Sequence, residues 1–198
     1  MNRREILKLS ALTVTGVMSG TLTQALAAGV TGQTGQCEQV FGSEWAKTIR
    51  VLVDLILPKT DTPSATEAGT HDFIADVYAN WCNDEERAIF DQGLSALDAH
   101  TRASEGLRFE AATTPSQTAA LQAAADDAKS YVAPQGTRLW GGAHDSGAPF
   151  YNALRDLTIT GFYTSEVGAK QALAYLPMPG RFDGEYPVAE IGNKSWSS

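Results

Sequence analysis

Few side chains in this 198-residue sequence could carry chemistry: three histidines and two cysteines. His144 precedes Asp145 in the glycine-flanked segment 141–147, where an imidazole beside a carboxylate could act as a general base. The sequence indicates no partner for this pair, and a hydrogen bond that stabilises the loop is the alternative interpretation. His71 stands at the start of a predicted helix, where we expect a capping or surface residue. His100 ends another predicted helix, where a cationic imidazole suits the negative end of the helix dipole.

Motifs that identify a bound cofactor are missing from the sequence. There is no Cys-x-x-Cys-His for covalent haem, and two cysteines cannot hold an iron–sulfur cluster. No Gly-x-Gly-x-x-Gly follows a predicted strand, no phosphate-binding loop occurs, and the Gly-x-Ser-x-Gly of hydrolases is absent. The sequence therefore predicts no catalytic, cofactor-binding or metal-binding residue in this chain.

Composition narrows the class of protein. A chain of 198 residues with 43% hydrophobic residues suits one domain with a sizeable core. The net charge of −8 argues against a nucleic-acid partner, because phosphates require a basic surface.

The first residues have the pattern of an export signal. Arg3 and Arg4 precede a weakly apolar stretch over residues 9–26, which polar residues and glycines interrupt too often for a membrane span. Ala25-Leu26-Ala27 then provides a small-x-small cleavage site. The pattern predicts a twin-arginine (Tat) signal over residues 1–27 and a periplasmic mature protein. A short basic helix at the start of a cytosolic protein is the alternative interpretation.

Cys37 and Cys82 make an even number of cysteines in a chain predicted to be exported. A disulfide between them is chemically allowed in that compartment and would tie the segment before the first helix to the end of the second. Two free thiols, or a bridge from one cysteine to a partner subunit, are the alternatives.

Apolar spacing in the remaining sequence predicts helices throughout. Trp45, Ile49, Leu52, Val53 and Ile56 form one face of a helix that begins at Ser43 and ends before Pro58. A second helix is predicted to end near Trp81. The third and fourth begin at capping patterns, at Asn83–Glu86 and at Thr114–Gln117. A fifth begins near Pro149, and a last one runs from Thr164 to Leu176. No long run alternates at period two. We therefore expect an all-α, irregular helical bundle over residues 43–176, after an extended lead-in over residues 28–42 and before a long irregular C-terminal tail over residues 177–198.

The C-terminal third contains the most specific sequence blocks. They are Gly161-Phe162-Tyr163-Thr164-Ser165-Glu166-Val167-Gly168-Ala169, then Tyr175, then Pro179-Gly180-Arg181-Phe182-Asp183-Gly184. Together with the earlier Leu57-Pro58-x-Thr60-Asp61-Thr62-Pro63, they resemble the gluconate 2-dehydrogenase subunit 3 family. The likeness spans roughly Trp45 to Pro187. Ser64 stands where many members of that family have glycine.

This resemblance implies a non-catalytic small subunit. Such a subunit accompanies a large FAD-dependent dehydrogenase of the glucose-methanol-choline (GMC) type, often with a c-type cytochrome as third component. The FAD then belongs to the large subunit and any haem c to the third. The small chain carries the Tat signal, helps the flavoprotein to mature and escorts it through the Tat machinery. The expected substrates of the complex are sugars, sugar acids or glycosides, and membrane association through the complex is a further option.

Aromatic residues are frequent near the C-terminus, and interfaces favour aromatic residues and arginine. The residues that we expect at the partner interface are Phe162, Tyr163, Tyr175, Arg181, Phe182, Tyr186 and Trp196. The alternative for the two predicted to lie on helices, Phe162 and Tyr175, is that they pack inside the bundle.

Two other functions compete with the small-subunit hypothesis. A stand-alone exported hydrolase or isomerase would use His144 and Asp145. A periplasmic carrier of a small ligand would line its pocket with Trp81 and Trp140.

Overall fold

The computed structural model describes residues 35–132, 148–176 and 186–196, and the regular structure in these segments is helical. All described residues after Gly35 belong to one compact unit, Gln36–Ser198. The α-helices, numbered here in chain order, are α1 (Gln36–Ile56), α2 (Thr70–Asn80), α3 (Asp84–Glu105), α4 (Thr114–Ala128) and α5 (Phe150–Thr164). Short 3₁₀ segments occupy Phe109–Ala111 and Val188–Ile191, and a π-helical turn occupies Gly168–Ala172. The predicted all-α class is confirmed.

The core lies where α5 meets the other four α-helices, all of which it contacts. Ile49 and Leu52 of α1, Ile74 of α2 and Leu154 of α5 are fully buried there, and Leu97 of α3 is nearly so. The apolar spacing that predicted each helix thus supplies the buried face, and burial of these side chains is the main force that holds the bundle together.

Helix α1 differs from the prediction at its start. The sequence suggested an extended lead-in up to residue 42, whereas the structure is helical from Gln36, with a break at Gly42 (φ 75°, ψ 164°). Tertiary contacts explain the difference. The Cys37 side chain is fully buried, and its backbone N–H donates to Asp72 Oδ1 at 2.8 Å. The centroids of the Phe41 and Tyr78 rings are 4.5 Å apart.

The two predicted capping patterns had different outcomes. At the start of α3, Asn83 and Glu86 form the expected reciprocal capping box, with two hydrogen bonds of 2.9 Å. At the start of α4, Thr113 takes the cap position without a side-chain hydrogen bond to the helix. The Gln117 side chain, expected to reach back to the cap, is buried instead and donates to the Phe109 carbonyl at 2.8 Å. The hydrogen bond to Phe109 uses the amide that the predicted capping pattern required.

The helix predicted from Thr164 to Leu176 is also shorter than expected. Helix α5 continues to Thr164, Ser165 interrupts it, and the π-helical turn ends at Ala172. The described part of the tail returns to this turn, because Ala174 N–H donates to the Ser195 carbonyl at 2.8 Å. None of the helices in the described segments has the length and apolar character that a membrane span requires.

Candidate functional site

Exposed aromatic and apolar side chains gather where the tail meets the π-helical turn. We call Tyr175, Leu176, Tyr186 and Trp196 the C-terminal patch; between 37% and 51% of each residue is exposed. The rings of Tyr186 and Trp196 meet edge to face with centroids 5.7 Å apart. Burial of such rings against a partner would be favourable, since each offers a large apolar surface with a polar edge.

Polar contacts hold the backbone beneath the patch in place. The backbone pairing of Ala174 with Trp196 forms an isolated bridge. Lys194 Nζ donates to the Gln171 carbonyl at 2.6 Å. Lys170 Nζ binds Glu166 at 2.6 Å and lies 6.0 Å from the ring centroid of Tyr175. The patch is therefore an apolar surface with a fixed backbone, next to the Lys170–Glu166 ion pair and the charged Lys194.

The structure separates the predicted interface residues into three groups. Tyr163, Tyr175, Tyr186 and Trp196 are exposed, by 41%, 49%, 37% and 45%. Phe162 is only 3% exposed and belongs to the core, as the packing alternative had it, so it is removed from the predicted interface. That alternative does not hold for Tyr175. The remaining two, Arg181 and Phe182, lie outside the described residues.

Sequence reasoning missed a groove between the end of α1, helix α4 and helix α5. It has a volume of about 380 Å³, and its apolar lining includes Leu57, Leu121, Tyr151 and Ile159. Ile159 in its lining is 40% exposed, and no sequence signal marks the groove, because three helices form it together. We call this feature the α5 groove.

His71 is not the surface residue that the sequence suggested. It is 6% exposed, its Nε2 lies 3.6 Å from Asp72 Oδ2, and its Nδ1 has no hydrogen-bond partner among the described residues. Burial lowers the pKa of His71 below its ordinary value of 6.5, against the opposing effect of Asp72. The small exposure leaves almost no surface to which a substrate could bind, so we interpret His71 as part of the packing between α1 and α2.

The segment at the start of α1 surrounds this histidine with further polar groups. Glu38 forms an ion pair with Arg50, and the backbone of Cys37 binds Asp72. Burial, with a smaller contribution from Asp72, raises the pKa of the Cys37 thiol to about 12. A thiol in this state is uncharged at neutral pH and unreactive.

The predicted disulfide is not formed in the structure. Cys37 is a buried free thiol and Cys82 a half-buried one. Cys82 follows the end of α2, and burial raises the pKa of its thiol as well. The alternative of two free thiols is the one that the structure shows.

The residues named for the competing functions gain no support from the described geometry. Trp81 is 79% exposed. His144, Asp145 and Trp140 lie outside the described residues, as does the predicted export signal with Arg3 and Arg4. Within the described segments, no cluster of three or more His, Cys, Asp or Glu side chains could hold a metal ion.

Comparison with known proteins gives one match. The family model described as gluconate 2-dehydrogenase subunit 3 matches residues 43–180, more than two thirds of the chain. No curated protein and no solved structure matches the sequence. The matched region begins at Ser43 in α1, includes all of α2 to α5, and ends beyond the π-helical turn.

Proposed function

Since the chain belongs to the gluconate 2-dehydrogenase subunit 3 family, we propose that it is the non-catalytic small subunit of a periplasmic FAD-dependent dehydrogenase complex. In this proposal the oxidation of a sugar, sugar acid or glycoside takes place on a large GMC-type subunit that holds the FAD. The small subunit supports the maturation, stability and Tat co-export of that flavoprotein. A c-type cytochrome is the proposed third component.

The family match is the main support for this proposal. It covers the whole bundle from α2 to α5 rather than an isolated motif, so the fold as a unit is that of a dehydrogenase subunit. The absence of cofactor motifs from the sequence agrees with a role that leaves the chemistry to another chain.

The C-terminal patch supports the partner role. An exposed group of aromatic side chains with few free charges is typical of the centre of a protein–protein interface. Tyr186 and Trp196 provide two such rings in contact, and Tyr175 lies next in sequence to Ala174, which pairs with Trp196. A large subunit that covers this patch would bury them together.

Export of the complex follows in this proposal from Arg3 and Arg4. The Tat route carries folded proteins, so a flavoprotein without its own signal can cross the membrane bound to a chain that has one. This supports a periplasmic location for both subunits.

Co-expression of the large subunit with and without this chain tests the proposal. We expect dehydrogenase activity in the periplasm only when the small subunit is present. A chain with Arg3 and Arg4 replaced by lysine should leave both subunits in the cytoplasm, because the large subunit would have no other signal. Equal periplasmic activity without the small subunit would overturn the maturation role, and export of the large subunit beside the lysine variant would overturn the escort role.

The non-catalytic assignment has a separate test. The purified full chain, free of any other subunit, is mixed with FAD and with candidate sugars and an artificial electron acceptor. We expect neither tight flavin binding nor turnover. Tight binding together with turnover would contradict the proposal.

A further inference from the structure

We infer that the α5 groove is a docking site for a segment of the dehydrogenase subunit that presents apolar side chains and a carboxylate. This inference rests on the proposed function, which requires a second subunit. It adds a surface beside the buried face of α5, and none of the residues that line this surface is among the predicted interface residues.

The first argument is the exposed row along α5. Tyr151, Arg155, Ile159 and Tyr163 are spaced by four residues, which places them along one face of the helix. The first three line the groove, and Ile159 and Tyr163 are 40% and 41% exposed. The neighbouring face of α5, with Leu154 and Thr158, is fully buried, and Tyr151 packs partly against the core. Ile159 and Tyr163, one turn apart, add an exposed apolar surface that a helix with one buried face does not need.

Residues outside α5 also line the groove. Leu121 of α4 is 8% exposed and lies at its base, and Leu57, just beyond the end of α1, closes one side. An inserted apolar side chain would therefore contact three separate parts of the bundle. An amphipathic segment can insert its anchor side chains into such a concave apolar site. Those side chains are spaced by about one helical turn, as are the α5 residues that line the groove.

Charge favours a partner with a carboxylate. Arg155 is the one Lys, Arg, Asp or Glu residue among those that line the groove in the described part of the chain. Its Nε and Nη2 both bind a single oxygen, Oδ1 of the adjacent Asp156, at 2.9 and 2.8 Å. An ion pair between sequence neighbours on an exposed surface is weak, so the guanidinium can donate instead to a better-placed carboxylate of the partner.

The same charge distribution disfavours a second copy of this chain as the occupant. A symmetric dimer through the α5 groove would bring both Arg155 side chains into one contact, between two chains that each carry a net charge of −8. A different subunit does not have to bring a second Arg155 into the contact. Membership of a family of dehydrogenase subunits supplies that other chain.

The row on α5 and the C-terminal patch follow one another along the chain. The row on α5 extends to Tyr163, and the π-helical turn Gly168–Ala172 that follows packs on α5. That turn is directly connected to Tyr175 and Leu176 of the patch. One partner could thus cover the groove and the patch as a single continuous interface.

Photo-crosslinking in the assembled complex tests the location. A benzoylphenylalanine residue replaces Ile159 in the full chain, which is co-expressed with its dehydrogenase subunit. The matched control places the same residue at Leu107, which is 45% exposed and does not line the groove. We expect crosslinks from position 159, and not from 107, to a dehydrogenase peptide with apolar residues and at least one Asp or Glu. Crosslinks from 159 to this chain's own peptides, or equal crosslinks from both positions, would overturn the inference.

Substitutions test the chemistry. Ile159→Glu should lower the amount of co-purified dehydrogenase by about tenfold or more, and Arg155→Glu by a similar factor, as for residues central to an interface. Arg155→Lys should retain most of the binding and Leu107→Glu should change it by less than about twofold. Circular dichroism of each variant checks that the helical content is unchanged.

The outcomes separate this inference from the proposed function. If the unaltered chain recovers no dehydrogenase subunit, the proposed function fails. If the unaltered chain recovers the subunit and Ile159→Glu and Arg155→Glu recover it equally well, the docking site fails and the proposed function stands.

Discussion

The ring of Phe150 lies directly over Gly93, at the point where α5 meets α3. A Cβ atom added to Gly93 would stand 2.0 Å from Phe150 Cγ and 2.5 Å from Phe150 Cβ, far inside normal contact distances. The same ring meets Phe90 edge to face, with centroids 5.2 Å apart. A glycine in the middle of a helix costs about 1 kcal/mol relative to alanine. Because Gly93 has no side chain, the first turn of α5 can pack directly against α3.

Gly93→Ala is therefore expected to destabilise the protein despite its better helix propensity. The clash involves the base of the Phe150 side chain, which cannot move without moving α5. We expect the free energy of unfolding to fall by about 1–3 kcal/mol, the usual cost of overpacking a core. Urea denaturation of the full chain measures it. The double variant Gly93→Ala/Phe150→Ala should lose less stability than the sum of the two single variants, because alanine lacks Cγ, the atom nearest to the added Cβ. An increase in stability for Gly93→Ala alone would contradict the structure.

The capping box at the start of α3 gives a second prediction. Asn83→Ala removes the acceptor for the Glu86 N–H and should lower the free energy of unfolding by about 1 kcal/mol. Asn83→Asp keeps an acceptor at the same place and is the matched control, with little expected change. Thermal unfolding of both variants makes the measurement. Equal loss in the two would show that the side-chain hydrogen bond is not what stabilises this helix end.

Local patterns of this kind could be predicted from the sequence. Asn83 and Glu86 are three residues apart, and the apolar spacing of Ile49, Leu52 and Val53 directly describes a helix face. In both, the interacting groups lie within one or two turns of each other. The predicted helices accordingly appear in the structure with errors mainly at their ends, except the one predicted from Thr164 to Leu176, where the π-helical turn Gly168–Ala172 forms instead.

Features that depend on distant residues could not be predicted in this way. Helix α1 begins at Gln36 because Asp72, far along the chain, accepts the Cys37 N–H. Phe162 and Tyr163 are sequence neighbours of similar character, yet packing in the bundle buries the first and exposes the second. The α5 groove arises from three helices together, so no single segment of sequence contains its pattern.

The burial of His71 predicts a pH dependence of stability. The pKa of His71 is lowered from 6.5 in the folded chain, so the unfolded chain binds a proton more readily in the pH range just below neutrality. The free energy of unfolding should therefore rise with pH through this window and fall as the pH drops below about 6.5. Urea denaturation at a series of pH values from about 5.5 to about 7.5 measures the slope.

Two variants identify the group responsible for that slope. His71→Gln should flatten it, whereas His100→Gln, at an exposed position near the end of α3, should leave it unchanged. The charges closest to His71 are Asp72 on its own helix and Arg50, Glu38 and Asp54 on α1. A slope that persists in His71→Gln would contradict the assignment.

The two cysteines give a last prediction, on thiol reactivity. The thiolate attacks a disulfide reagent such as dithiobis(nitrobenzoate) and releases thionitrobenzoate, and the Cys37 thiol is fully buried with its pKa raised to about 12. In the native chain we therefore expect slow modification of Cys82 alone, because it is half-buried and near the exposed end of α2. Denaturation without a reducing agent should make both thiols reactive, and Cys82→Ser should abolish the native-state reaction and leave Cys37 as the reactive thiol of the denatured chain. If the denatured, unreduced chain shows no free thiol, Cys37 and Cys82 are bridged and the free-thiol arrangement is wrong.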